Sequence, residues 1–322
     1  MRIDVQSHIF PEWFVKLMAA RRRSPRVVGK GKERVLEVGS WRGKVLPKLT
    51  DISLKLQQMD AAGIDLTVLS QQMPGPELLG KDGPAAARRM NDSIAAICRE
   101  HADRFVGLCT LALQDMKGAM QELTRCVEKL DMRGVLLYSN VAGKMLDEPP
   151  FAPLFARAEA GGIPLFLHPT YPVVAERTAA YDLTAGVGFM FDTTLAAIRL
   201  IMDGTFERHP RLQFVLPHTG GALPYLISRV DYQAVALGRG AEKIRKPPSE
   251  YLKAMWTDTV APGSLNLEFA LKFWGAEKIL FASDHPWLDI QPFVDLVEGA
   301  GLSAGDKAKI YEENARKLFR IR

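Results

Sequence analysis

The sequence predicts an α/β protein, a single (β/α)8 barrel of the TIM type over residues 1–322, with a small insertion after the first strand at about 12–50. Three observations predict it. Eight short apolar runs alternate with helix-like segments, the pattern of βα units around a parallel sheet. Polar residues stand just past several of those runs, where a barrel gathers its site at the C-terminal ends of its strands. No glycine-rich turn follows the first run, as an open dinucleotide-binding sheet would carry.

The runs fall at residues 3–5, 66–69, 105–111, 134–138, 164–167, 213–216, 255–258 and 279–282. Between the first and second lies a stretch too long for a simple βα loop. Its middle, residues 34–43, reads as a small β-hairpin. Residues 52–62 carry Ile52, Leu56, Met59 and Ala62 at helical spacing, and Gly63 follows as a C-cap. Residues 84–102, 116–130 and 153–160 read as amphipathic helices, the last ended by Gly161-Gly162. The chain contains no internal repeat and no low-complexity segment.

With 47% apolar and 25% charged residues, the composition is that of an ordinary globular protein with a large core. No continuous apolar run reaches the roughly 18–20 residues of a membrane span, so no membrane association is expected. The first residues lack the layout of a signal peptide, which leads to a cytoplasmic expectation. Cys98, Cys109 and Cys126 have no metal-like spacing and are expected to be buried, reduced thiols. The net charge of +5 is dispersed except around Arg21-Arg22-Arg23, Arg26, Lys30, Lys32 and Arg34. That cluster has no interleaved aromatics and reads as a solvated face, so nucleic acid is not an expected partner.

The chemistry concentrates after the runs. His8, His168 and Asp284 follow the first, fifth and eighth, and form the protein side of an open site for one divalent cation, Zn²⁺ or Mn²⁺. Gln6 lies two residues before His8, on the same side of an extended strand. Its amide oxygen is neutral and a poor donor, so Gln6 is a weak ligand, a partner of a metal-bound water, or a sign that no metal binds. His218, after the sixth run, suits general acid–base work near neutral pH, and Asp284 can both ligate and shuttle a proton. Asp258, after the seventh, either orients His218 or caps the next helix. Arg229, eleven residues beyond His218, offers a guanidinium for a substrate carboxylate. His285 is expected to face away from Asp284, toward either the pocket wall or the core.

Taken together, Arg104-Phe-Val-Gly-Leu, Leu165-Phe-Leu-His-Pro169, Phe206-Glu-Arg-His-Pro-Arg-Leu212, His218-Thr-Gly-Gly-Ala-Leu-Pro224 with Arg229, Trp256-Thr-Asp-Thr259 and Ser283-Asp-His-Pro286 carry a resemblance. The chain resembles, almost end to end, the branch of the amidohydrolase superfamily that contains aminocarboxymuconate-semialdehyde decarboxylase and γ-resorcylate decarboxylase. The resemblance implies a metal-dependent, non-oxidative decarboxylation with no organic cofactor, acting on an aromatic or muconate-type acid. It matches His8, His168 and Asp284 to the family's ligands. Gln6 departs from the family's His-x-His or Glu-x-His. An aromatic residue of the family's pocket is missing at Thr170, with Tyr171 next. The resemblance also implies a substrate arginine in the insertion, for which Arg42 is the candidate. It implies a homodimer in which Arg239 reaches across the interface. The competing expectations are a metal-dependent hydrolase or hydratase with the same ligands, and a metal-free binding protein.

Overall fold

The structure, a computed structural model, describes residues 1–321. Its centre is a curled sheet of six parallel strands. The strands in chain order are β1 (Ile3–Ile9), then β2 (Arg26–Val28), β3 (Val35–Val38) and β4 (Trp41–Lys44) outside the sheet, followed by β5 (Leu66–Gln71), β6 (Phe105–Thr110) and β7 (Gly134–Tyr138). A small antiparallel pair, β8 (Asn140–Val141) and β9 (Lys144–Met145), precedes β10 (Leu165–His168), β11 (Phe214–Val215), β12 (Thr257–Asp258) and β13 (Ile279–Leu280). The central sheet runs β1-β5-β6-β7-β10-β11, all parallel. β12 and β13 form a separate parallel pair.

That pair is linked to both edges of the sheet. On one side Val215 bridges Trp256, with the Trp256 amide donating to the Phe214 carbonyl at 2.9 Å. On the other, Ser7 bridges His285, while the Val5 and His8 amides donate to the carbonyls of Phe281 (3.0 Å) and His285 (2.8 Å). Every residue of β1 and β5 is buried. Helices therefore cover one face and side chains of other strands the other, which is why these strands read as continuous apolar runs rather than alternating ones.

All eight runs contain an observed parallel strand. The helix at Ile52–Ala62 matches its expected bounds; Asp51 caps it by accepting from the amides of Ser53 (2.8 Å) and Leu54 (3.4 Å), and Gly63 ends it at φ +66°. Gly83–Glu100, Met116–Lys129 and Ala152–Gly161 lie within two residues of expectation. The hairpin expected at 34–43 is β3–β4, and β2 adds a third antiparallel strand to it. The basic cluster is partly consumed in holding this sheet: Arg26 pairs with Glu37 (2.8 Å) and Arg34 with Glu12 (2.8 Å).

One segment departs from expectation. Thr184–Met202 is a 19-residue helix long and apolar enough by composition to cross a membrane. Asp192 and Arg199 interrupt it in the sequence, so it does not read as a continuous apolar run. In the fold Asp192 is buried and accepts from Ser139 Oγ, Asn140 Nδ2 (2.9 Å) and the Val173 amide (3.0 Å), and Arg199 pairs with Asp147. Its inner face, with Thr193, Ala196, Ala197, Leu200 and Ile201, is buried. The three cysteines are free thiols, Cys109 and Cys126 buried and Cys98 half-buried.

Candidate metal centre and cavity

Four strand ends converge. β1 delivers Gln6 and His8, β10 ends on His168, and His218 and Asp284 stand on the turns just after β11 and β13. Both turns are left-handed, with φ +57° at His218, +51° at Thr219 and +58° at Asp284. Such a backbone costs about 1–3 kcal/mol per non-glycine residue and persists only where the surroundings impose it. Here Asp258 imposes it at the first turn. One carboxylate oxygen accepts from the backbone amides of His218 (2.8 Å), Thr219 (3.4 Å) and Val260 (3.0 Å). Asp258 therefore orients His218 through its backbone, not through its imidazole, and caps no helix. Burial pushes this carboxyl up to about 7, against those three amides.

His8 Nε2 lies 3.0 Å and His168 Nε2 3.9 Å from Asp284 Oδ1, and one donor atom from each of the three residues falls within 4.8 Å of the others. The outer ring nitrogens are spoken for. His168 Nδ1 donates to the Pro169 carbonyl at 2.9 Å, which leaves the Nε2 lone pair facing inward, buried and without a partner. Ser70 Oγ donates to the Ser7 carbonyl (3.4 Å) and accepts from His8 Nδ1 (2.9 Å). His8 Nε2 then presents a second lone pair to a carboxylate oxygen. Burial pushes the His8 imidazole down to about 4, despite the nearby Asp284, so a proton is not what fills the gap at neutral pH. Two imidazole lone pairs and an anionic oxygen around one point suit a divalent cation. Asp284 is kept ionised: burial opposes the charge, but contacts from His168 and His8 hold the carboxyl well below the usual range.

Gln6 is buried beside this cluster. Its Nε2 lies 3.3 Å from both Asp284 Oδ1 and His218 Nε2, and its Oε1 has no partner. Burial likewise pushes His218 down to about 4, so it stands as a neutral imidazole, and its Nδ1 is unpartnered. Above these residues opens a cavity of about 520 Å³. His168, His218 and Asp284 line its floor, and Trp41, Phe189 and Trp287 are among its apolar lining. Trp41 meets Trp287 edge-on, with centroids 5.4 Å apart, and tilts against Phe189 at 6.3 Å.

Comparison with known proteins decides the family: the amidohydrolase model Amidohydro_2 matches residues 54–321. The chain belongs to the amidohydrolase family. Over 316 residues it is 29% identical to the 2-amino-3-carboxymuconate-6-semialdehyde decarboxylase of Dictyostelium discoideum, covering 93% of this chain and 84% of that protein. It is 30% identical to the γ-resorcylate decarboxylase of Rhizobium radiobacter over 307 residues, 88% of this chain and 91% of the relative. Among solved structures it is similar to the 5-carboxyvanillate decarboxylase of Novosphingobium aromaticivorans, complexed with manganese and 4-hydroxy-3-methoxy-5-nitrobenzoic acid. The TM-score is 0.84 at 26% identity, covering 100% of this chain and 96% of that one.

In this amidohydrolase the three arginines expected to bind substrate lie outside the cavity lining. Arg42 is exposed and pairs with Glu37 at 3.1 Å. Arg229 and Arg239 are exposed, on and after the helix Leu223–Asp231. Tyr171 does not replace the missing aromatic of the pocket; its hydroxyl meets the amide and hydroxyl of Ser40, both at 3.1 Å, outside the lining. The aromatic wall comes instead from residues the sequence reading did not single out. Trp287 had a signal, standing three residues after Asp284; Trp41 and Phe189 had none before the hairpin and helix were placed. His285 packs beneath the site, its Nδ1 accepting from Lys55 (2.7 Å) and its Nε2 donating to Gln58 (2.5 Å).

Proposed function

We propose that this amidohydrolase is a metal-dependent, non-oxidative decarboxylase of an aromatic carboxylic acid, built on a single domain whose eight parallel strands close into a (β/α)8 barrel. The observation that carries the reading is the inward pair of imidazole lone pairs on His8 and His168, facing the ionised Asp284 at the floor of an aromatic-walled cavity. The two links between the β12–β13 pair and the edges of the six-stranded sheet support closure. The decarboxylase relatives and the manganese in a neighbour support the chemistry and favour Mn²⁺ over Zn²⁺.

His8, His168 and Asp284 would hold the ion, with Gln6 beside them. When bound, the metal supplies Lewis-acid polarisation of the substrate carboxylate and the oxygen next to it. The chain does the rest. Trp41, Phe189 and Trp287 hold the ring and exclude water. Asp284 and His218 hold no acidic proton at neutral pH, so one of them takes up a proton from water or from the substrate's adjacent hydroxyl and passes it to the ring carbon that bears the carboxylate. The bond from that carbon to the carboxylate then breaks, its electron pair returns to the ring, and CO2 leaves. No oxidant or reductant is consumed.

A homodimer belongs to the same reading. Phe191 and Leu195, a turn apart, Tyr225 on the helix Leu223–Asp231, and Tyr232 and Val235 on its continuation Tyr232–Ala236 are exposed apolar side chains, and the Ala222 amide ties this helix to the helix of Phe191 through Thr194 Oγ1 (2.9 Å). Arg229 rides between Tyr225 and Tyr232 on that face, where a second copy would cover it.

One observation favours a second reading, a metal-free binding protein: Gln6 Nε2 lies within hydrogen-bond reach of both Asp284 and His218, so part of the cluster is satisfied by an uncharged side chain where a ligand would stand. Elemental analysis of protein purified without chelators separates the two. The expected result is about one equivalent of Mn²⁺ or Zn²⁺ in the wild type, with tighter retention against a chelator in Gln6→Glu. A metal-free wild type, with metal present only in Gln6→His, would favour the binding protein.

A further inference from the structure

Among the described residues, the cavity lining has neither lysine nor arginine, and its one carboxylate is Asp284 on the floor. The reason lies in the hairpin. Trp41 and Arg42 are neighbours on β4, and successive side chains of a strand point to opposite faces. The face turned to the cavity carries the indole of Trp41, 7% exposed. The other face carries Arg42 to Glu37, where Arg26 also binds. Gly43 helps hold this orientation: a Cβ there would lie 2.5 Å from Trp41 and 2.9 Å from Trp287, so only glycine lets the two indoles close over the strand.

A carboxylate on the floor meets the metal ligands. A second carboxylate, across the ring, would meet Trp41, Phe189 and Trp287 and would lose its water without gaining a partner. The volume argues the same way. At about 520 Å³ the cavity falls in the range of roughly 300–1,000 Å³ that encloses drug-sized ligands, more than a bare benzoate needs. The excess space is walled mainly by apolar groups, and its neutral polar members, Gln72, Thr219 and Asn266, supply no charge to pair with a carboxylate.

We infer that this site takes arenecarboxylic acids with a single carboxylate, held at the His8–His168–Asp284 floor, and an apolar alkyl, alkoxy or aryl substituent on the far side of the ring, and that Trp41 excludes a second carboxylate there. The inference rests on the decarboxylase reading for the role of the floor, but the wall stands on geometry alone.

The test is a matched pair of 2-hydroxybenzoates that differ only para to the reacting carboxylate, one carrying propyl and the other carboxylate. Two readouts are taken on the manganese-loaded protein: kcat/KM, and Kd by calorimetry for the corresponding benzoates without the 2-hydroxyl, 4-propylbenzoate and terephthalate; terephthalate is symmetric, so either carboxylate at the floor leaves the other at the wall. The propyl compound is expected to be favoured by at least about 100-fold in both, since apolar groups of this size discriminate by about 10–200-fold and the burial of an unpaired charge adds to that. Trp41→Ala should weaken 4-propylbenzoate about tenfold and leave terephthalate unchanged, while Trp41→Arg should narrow or reverse the preference. Trp287→Leu is held to the same expectation as Trp41→Ala, so a misfolded Trp41 variant does not remove the test. Equal or tighter binding of the dicarboxylate by the wild type would overturn the inference, because a cation from outside the lining would then be reaching the wall. If neither acid loses CO2 but 4-propylbenzoate keeps its advantage over terephthalate, the decarboxylase reading fails and the apolar wall stands.

Discussion

Glu77 shows what position does to a single carboxyl. It is 4% exposed, accepts from Thr170 Oγ1 at 2.8 Å through one oxygen and has no partner for the other. Burial pushes it up from 4.5 to about 7, although the Thr170 bond opposes the shift. Below about pH 4.5 folded and unfolded chains both carry the proton and Glu77 costs nothing. As the pH rises from there to about 7 the unfolded chain releases its proton while the folded chain keeps it, so stability falls. Above about pH 7 the loss is complete, at about 3 kcal/mol by the usual conversion of a pKa shift. Glu77→Gln removes the titration. Urea unfolding at pH 5 and pH 8 should show the variant gaining roughly 2–3 kcal/mol on the wild type between the two, and equal differences at both pH values would mean that Glu77 is not the group responsible. The same residue-level logic limits what a sequence tells. That an acid follows the seventh strand is legible; that Asp258 serves the backbone of residues 218 and 219 is not, because it depends on a left-handed turn that neither histidine nor threonine announces.

The elements were legible in proportion to how much of their pattern is local. Strands buried on both faces leave short apolar runs, and all eight can be read from them. Ile52–Ala62 is bounded by Asp51 and Gly63, so its ends as well as its existence can be read. β2 was missed because its three residues follow an arginine run and carry no pattern of their own. The hairpin beside it is the instructive case. Alternation says that Trp41 and Arg42 face opposite ways, but which way the hairpin docks is a tertiary fact, and it is Trp41 rather than the expected Arg42 that lines the cavity. The docked hairpin depends on Gly43, so Gly43→Ala should force Trp41 and Trp287 apart. Overpacking of this kind costs about 1–3 kcal/mol, read as a lower urea midpoint, and should redshift the indole emission as the wall opens to water. An unchanged midpoint and spectrum would show that the two rings move aside freely.

At the scale of the whole molecule, the site and the contact between the first and last parallel strands are one structure. The candidate ligands His8 and Asp284 stand on opposite sides of the seam where the first and last parallel strands meet, and that seam has few backbone links. A buried polar network reinforces it. Lys55, 1% exposed, donates from the helix Ile52–Ala62 to Ser7 Oγ and His285 Nδ1, both at 2.7 Å, and so ties one side of the seam to the other. Asp4 does the same from β1, accepting from the Ser283 hydroxyl (2.5 Å) and amide (3.2 Å). Burial pushes the lysine down to about 7 while the charge of Asp4 opposes the shift, which marks the ammonium as costly to keep inside. Removing Lys55 takes the donor from His285 Nδ1 and from Ser7 Oγ, and a buried polar group left without its partner costs about 1–3 kcal/mol. Lys55→Ala should therefore lose stability on that scale in urea unfolding. It should also lose bound metal under conditions where it is still folded, because His8 and Asp284 keep their spacing only while the seam holds. Lys48→Ala, which removes a surface pair with the exposed Asp289, should cost less than about 1 kcal/mol and leave the metal in place. Full metal content in folded Lys55→Ala would separate the seam from the site and leave the network a purely structural closure.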